Sequence, residues 1–422
     1  MIYKNRTRIL MWLGLLIVSG VLIYTARRQP LSNRLLLSVQ HSFNSIRKPF
    51  ASVSSTMQAP MPSPLVLPEQ SVEPFLSPIP TPTLLPAGAG IELAGVQDLS
   101  NAAEIALSIS ETPRFIKPAT DGETLVGVAV EDSGAKTWGT IFTIDLASGQ
   151  TQKIAGVTDV AEPQVSSRAI VWADENQVHI YDRTSGQIET LQIGALARSP
   201  SMSGSVIVWE YMESLATTGK RGIWGYNLDT RQDFPVVLGA VQRPLVSDRW
   251  VVYRNWDKSD ESTVPIDATN LDTGETIEIG RQIWSSKDYV ETDSYAIDGK
   301  WVAWTSNEWT YTQRLHLFDL ETRQSYTATI ESCGLSELYP GRLQNLTISA
   351  GRAYFRGCFQ PLGYDLQQRQ FFSLPVEQAV SQYSGFVDWA FGGDKVVLVA
   401  LTGTDSANQT RIFAAAIVDA TP

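Results

Sequence analysis

The chain has 422 residues, with two cysteines, twelve tryptophans and three histidines. Two cysteines exclude a disulfide-dense mini-domain and any four-cysteine metal site held by one chain. The formal net charge of -11 argues against a nucleic-acid partner. That charge is uneven: residues 1–90 carry eight Lys/Arg against two Asp/Glu, and residues 91–422 carry 25 against 42. The two parts are built for different surroundings.

Residues 1–8 form a basic flank with Lys4, Arg6 and Arg8. Residues 9–26 follow without a single charge. As a helix they would reach about 27 Å, close to the roughly 30 Å of a hydrocarbon core. Trp12 and Tyr24 stand near the ends, where amphipathic rings prefer the interface. A cleaved signal peptide would need small residues before the cut, and Tyr24-Thr25-Ala26 followed by Arg27-Arg28 fits poorly. The expectation is a retained single-pass transmembrane helix. Basic residues on both flanks leave its orientation open.

In residues 27–58, Leu35, Val39, Phe43, Ile46 and Phe50 recur at helical spacing among basic and polar residues. Such a juxtamembrane segment could lie on a lipid surface or pair with a copy of itself. Residues 59–90 hold nine prolines between Pro60 and Pro86, the composition of an extended spacer.

From about residue 118 the chain repeats one unit, within a propeller domain expected to span residues 91–422. A short turn followed by a β-branched and aromatic run appears seven times, marked by Gly122, Ser167, Gly204, Asp248, Gly299, Gly351 and Asp394. A second hairpin follows in most copies, marked by Asp145, Asp182, Asn227, Asn270, Asp319 and Asp365. Two hairpins make four strands, and a period in the forties with four strands is the mark of a propeller blade. The expected fold is all-β: a β-propeller of about seven four-stranded blades. Trp172, Trp209, Tyr253 and Trp304 then read as packing between blades. The seventh unit lacks its last strand, which either Ala103–Ser110 or Ile91–Val96 should supply to close the ring.

The runs Gly299-Lys300-Trp301-Val302-Ala303-Trp304 and Leu317-Phe318-Asp319-Leu320-Glu321-Thr322 resemble the repeats of TolB-type and related WD-like propellers. The resemblance covers about residues 118–422. It implies the fold, and a role as a binding platform or as the accessory domain of a peptidase. The chain has no G-x-S-x-G nucleophile elbow and no room left for a peptidase domain.

In such a blade the connections alternate between two faces. Those within each hairpin are short here, and those between hairpins and blades are longer and varied, which marks the expected binding face. That face should carry Trp138, Tyr211, Trp256, Trp284, Trp309 and Tyr311, together with Asp257, Asp260, Glu261, Glu291, Asp293 and Glu308. Aromatics among carboxylates suit a sugar, peptide or protein, unless the rings pack under their own loops. Cys333 and Cys358 fall on the same face of one blade. A disulfide there is feasible and would place the propeller in an oxidising compartment; two reduced, buried thiols are the other reading. With the proline-rich stalk, the disulfide favours a cytoplasmic N-terminus and an extracytoplasmic propeller.

His179 and His316 occupy equivalent places in two units and read as structural. No Walker or G-x-G-x-x-G signature occurs, and no cofactor, metal site or catalytic residue is expected. The function expected is a binding or scaffold module, tethered to a membrane by residues 9–26, for a protein or polysaccharide partner. The alternative is a carboxylate-dependent glycan hydrolase or lyase on the long-loop face.

Overall fold

The computed structural model divides into two units, Met1–Phe75 and Leu76–Pro422. It describes residues 83–84, 93–96, 102–105, 114–130, 139–158, 162–213, 220–260, 262–283, 295–307, 313–330, 344–356, 361–374, 385–393, 395–402 and 409–416. All lie in the second unit. The expected transmembrane helix at 9–26, the basic segment 27–58 and most of the proline-rich stretch fall outside them. Among the described residues no helix is long and apolar enough to cross a membrane.

The second unit is a seven-bladed propeller of four-stranded antiparallel sheets. Blade 1 runs from Arg114–Thr120 to Thr151–Val157, and blade 2 from Gln164–Val165 to Ile188–Gln192. Blade 3 comprises Leu196–Ser203, Val206–Met212, Arg221–Asn227 and Gln232–Leu238. Blade 4 comprises Val241–Ser247, Trp250–Asn255, Thr263–Asn270 and Thr276–Ile283. Blade 5 spans Tyr295–Asp298 to Gln324–Ile330, and blade 6 Gln344–Ser349 to Gln370–Ser373. Blade 7 takes Gly385–Gly392, Lys395–Thr402 and Gln409–Ala416 from the end of the chain. Its fourth strand is Ala103–Glu104, antiparallel to Gln409–Ala416. The ring therefore closes as expected, through the first of the two candidate segments. The other, Leu93–Val96, instead adds in parallel to the outer strand of blade 6, and Thr83–Leu84 does the same on blade 5. The approach to the ring thus covers two sheet edges that would otherwise present unpaired backbone.

Every seam between neighbouring blades holds its own apolar cluster, seven in all. This follows from strands with both faces covered, which read as nearly continuous apolar runs. Trp172, Trp209, Tyr253 and Trp304 are 1%, 2%, 0% and 4% exposed, so the repeated aromatic position is core. At the seam between blades 7 and 1 two backbones approach closely. A Cβ on Gly392 would lie 2.3 Å from the Thr120 carbonyl oxygen, so only glycine fits.

The last hairpin of six blades is built alike. The marker side chain accepts hydrogen bonds from the N–H groups two and three residues on: Asp145, Asp182, Asn227, Asn270, Asp319 and Asp365 all do so. Its carbonyl accepts from the fourth residue, which stands in the left-handed region. That residue is Gly149, Gly186 and Gly274 in three blades, but Arg231, Arg323 and Arg369 in the others. Serving as turn acceptors, first through the Ser148 hydroxyl and N–H and the Ser185 N–H respectively, holds the Asp145 and Asp182 carboxyls below their usual range.

Candidate binding site on blades 3 and 4

The two faces of the ring are occupied differently. On the short-turn face, charged residues join neighbouring blades. Arg183 pairs with Asp121, Arg168 with Asp229, and Arg323 with Glu275 at 2.6 Å. The Arg369 guanidinium lies 4.4 Å from the centre of the Tyr326 ring on the previous blade. Serine hydroxyls on the first strands add to this: Ser203 accepts from the N–H of Asp248, and Ser247 from that of Gly299. Burial pushes the Asp121 carboxyl up, but the Thr124 and Glu123 N–H groups and Arg183 outweigh it and hold it low.

On the opposite face, blades 3 and 4 are described almost throughout. Three first strands bulge there before a proline. Lys117, Ser199 and Arg243, at φ 53°, 45° and 53°, precede Pro118, Pro200 and Pro244. A left-handed residue before proline is a strained arrangement for an L side chain, and it must be held by its neighbours. For Arg243 those neighbours are visible. Its N–H donates to the carboxylate of Glu210 on blade 3. Its carbonyl accepts from the Tyr295 hydroxyl on blade 5. One bulged residue of blade 4 is thus gripped by the blades on both sides.

Glu210 is only 7% exposed, in the middle of the rim. Burial raises its carboxyl above the usual range; the Arg243 N–H and the charges of Arg198, Arg243 and Arg221 push it back down. On blade 4 the equivalent strand position is Arg254, also buried, donating to Gln282 at 2.9 Å and lying 5.5 Å from the Tyr295 ring centre. Beside it, the fully buried Asp267 accepts from Asn255 at 2.7 Å and Lys258 at 3.0 Å. Apolar groups complete the rim. Leu238, at the end of blade 3's outer strand, is 68% exposed.

Of the aromatics expected on this face, Tyr211 and Trp256 lie within the described residues, and the structure brings them to adjacent blades. Tyr211 is in the strand Val206–Met212 rather than in the following loop, half-buried, its ring 5.7 Å from that of Trp224. Strand pairing with Ala197 and Gly222 carries the ladder past the point where the apolar run ends. Trp256 opens a single 3-10 turn, Trp256–Lys258, capped by Asn255. It too is half-buried, and its N–H donates to the Ala240 carbonyl, tying the turn to the link between blades 3 and 4. Trp138, Trp284, Trp309 and Tyr311 lie outside the described residues, as do Cys333 and Cys358. Of the carboxylates, Asp257 accepts from the Ala240 N–H at 2.8 Å. Asp260 accepts from the Thr263 hydroxyl and from the Ser262 and Thr263 N–H groups, which hold its carboxyl well below the usual range. Both shape their loop. Among the described residues no group of three or more His, Cys, Asp or Glu could hold a metal ion.

His179 and His316 stack on Trp172 and Trp304, with ring centres 5.0 and 5.1 Å apart, in blades 2 and 5. His316 also meets the Ser306 hydroxyl at 2.6 Å and that of Thr327 at 3.2 Å. Burial, helped by Arg314, lowers it to about 4. Both are packing residues at one repeated position.

Sequence reasoning missed the pre-proline bulges. Their signal was present: Pro118, Pro163, Pro200 and Pro244 each stand four residues before the hairpin markers Gly122, Ser167, Gly204 and Asp248.

No protein-family model matches the chain, and no curated protein matches it in sequence. Solved structures do match in fold. The β-propeller domain of the Trilobed protease from Pyrococcus furiosus superposes with a TM-score of 0.50 at 12% identity, over 74% of this chain and all of that one. A puromycin-hydrolysing peptidase of Mycobacterium tuberculosis gives 0.47 at 13% identity, over 74% of this chain and 55% of its own. TolB from Acinetobacter baumannii gives 0.38 at 12% identity, over 70% and 64%. At 12% identity the first of these likenesses shows the propeller fold and nothing about activity. The chain spans about half the length of the matched peptidase.

Proposed function

We propose that the protein is a membrane-tethered, extracytoplasmic binding module whose long-loop face, at blades 3 and 4, holds a protein or an envelope polymer. The observation that carries this is the unequal use of the two faces. Short-turn side chains are spent on turns and on joining blades. The long-loop end of blades 3 and 4 instead carries half-buried Tyr211 and Trp256 and the exposed Leu238, together with a bulged Arg243 that Glu210 and Tyr295 hold from the neighbouring blades. Rigid placement of aromatic, apolar and arginine side chains is what interface anchors need. The tether rests on the uncharged run 9–26 and the proline-rich spacer after it. The described carboxylates of the glycan-hydrolase alternative, Asp257 and Asp260, are engaged in turns, which favours binding over hydrolysis.

The test is to isolate the full-length protein from its membrane together with whatever it holds. Tyr211→Ala and Trp256→Ala should each release the co-purifying component. Retention in both variants, with loss instead in Arg168→Ala on the short-turn face, would move the site to the other side of the ring.

A further inference from the structure

We infer that the outer edges of blades 5 and 6 are strand-acceptor sites whose partner is residues 83–96 of a second copy of this chain, taken up in place of the chain's own. The inference is independent of what the long-loop face holds.

The argument begins with how the seven outer edges are made. An open edge presents unpaired backbone, and proteins blunt it with charge, proline, bulges or brevity. Five edges carry no added strand among the described residues, and all five are blunted in this way. Blade 1 has exposed Lys153 in Thr151–Val157, with a register shift against the inner strand at Ile141/Phe142. Blade 3 has exposed Asp233 and Pro235, with a register shift at Ile223/Trp224. Blade 4 has Glu278 and Arg281, with a register shift at Ile266/Asp267. Blade 2 has Glu189 in a strand of five residues. Blade 7 ends in Ala103–Glu104, two residues, where Glu104 pairs with Arg411 at 2.9 Å.

Blades 5 and 6 break the rule. Their outer strands, Gln324–Ile330 and Gln370–Ser373, contain no charge and no proline. Each pairs with the strand inside it without a register shift. These are the two edges that take an added strand: Thr83–Leu84 on blade 5 and Leu93–Val96 on blade 6, both parallel. An edge left smooth and neutral is one kept for a strand, since main-chain hydrogen bonds carry such additions.

The present occupant is held lightly. Two residue pairs join Thr83–Leu84 to blade 5 and three join Leu93–Val96 to blade 6, in parallel pairing, the weaker kind. Closure of the ring does not depend on them. Blade 7 is closed by Ala103–Glu104, fixed by its own ladder and by the Ile105 N–H, which donates to the Ile412 carbonyl at 2.8 Å. Residues 83–96 can therefore leave while blade 7 stays closed. The strand that then fits both edges in register is the same segment of another copy, because exchange of an identical element rebuilds every pair.

The test co-expresses two full-length versions with different tags, one carrying Val96→Cys and the other Ser373→Cys, register partners on blade 6. Copper–phenanthroline oxidation should yield a disulfide-linked band bearing both tags. It should stand at least about tenfold above the band from either variant expressed with the unsubstituted chain, which sets the background from Cys333 and Cys358. Thr190→Cys, exposed on the blunted edge of blade 2, should give only that background when paired with Val96→Cys. A chain carrying both Val96→Cys and Ser373→Cys shows, by protection from maleimide, that the two positions bond within one copy. If that chain closes on itself while the mixed pair gives no band above background, the segment stays with its own copy and the inference falls. Equal bands with Ser373→Cys and Thr190→Cys would overturn it as well, because the contact would then be unspecific.

Discussion

The short-turn face and the long-loop face of one ring are made from the same repeat, yet they obey different rules. On the first, a carboxylate or amide at a fixed place closes the last hairpin of six blades, and a glycine or arginine takes the left-handed position there. In two of the three blades where arginine replaces glycine, its side chain is used against the previous blade: Arg323 on Glu275, Arg369 on Tyr326. On the second face strain serves a different end. At Arg243 the backbone is bent before a proline and held by Glu210 and Tyr295, in a pair of blades that also carries the exposed Leu238 and the half-buried Tyr211 and Trp256. Strain relieved by a neighbour's packing is structural, whereas strain that positions side chains beside apolar surface is the mark of a site.

The comparison can be broken most severely through the core that both faces share. Trp172→Ala and Trp304→Ala remove indoles that are 1% and 4% exposed and should each cost about 3–5 kcal/mol in denaturant unfolding. A loss below about 1 kcal/mol would mean that the repeated aromatic position is not the inter-blade core.

A smaller effect comes from His316. It is held at about 4 in the fold against 6.5 when free, so between those values the unfolded chain binds the extra proton. The stability it contributes is therefore complete above pH 6.5 and is lost as pH falls towards 4, by at most roughly 3 kcal/mol. His316→Gln should flatten the stability profile across that window. An unchanged slope would show that the imidazole is not buried as described.

Next in size are the turns. Asp319 is 4% exposed, accepts two backbone N–H bonds, and meets Lys300 at 3.2 Å. Asp319→Ala should cost about 1–3 kcal/mol. Arg323→Gly should lie within about 1 kcal/mol of neutral, because relief of its positive φ offsets the loss of an exposed ion pair. Thermal melts of both would show whether the turn acceptor or the arginine is the essential part; equal losses would contradict the account. Tyr211→Ala and Trp256→Ala should cost about 1–2 kcal/mol for half-buried rings, well short of the two core tryptophans. If their melting points fall as far as Trp304→Ala, the rings are core and the long-loop face has been misassigned.

Much of this was legible in the sequence because each blade is local. A turn followed by an apolar run declares a hairpin from a dozen residues, and the missing strand of the seventh unit declares that another segment must close the ring. The seven blades, the aromatic core and the need for an upstream closing strand follow from such signals, although two segments, Ala103–Ser110 and Ile91–Val96, remain equal candidates for that strand until the pairing is seen. The rim does not. Arg198, Glu210 and Arg243 stand in three strands, the last of them in the next blade, and nothing near Glu210 says that its carboxylate is buried. Tyr211 reads as a loop residue because the alternation fades at the strand's end, although its backbone pairing continues. The parallel additions of Thr83–Leu84 and Leu93–Val96 were unreadable as such, since two to four residues carry no period.

The most direct measurement of the central claim is hydroxyl-radical footprinting of the protein in its native membrane against the purified protein. The account predicts that Tyr211, Leu238 and Trp256 are less modified in the membrane, where the partner is present, while short-turn residues such as Arg231 and Arg369 are modified equally in both. Protection of the short turns, with Tyr211, Leu238 and Trp256 unchanged, would contradict it.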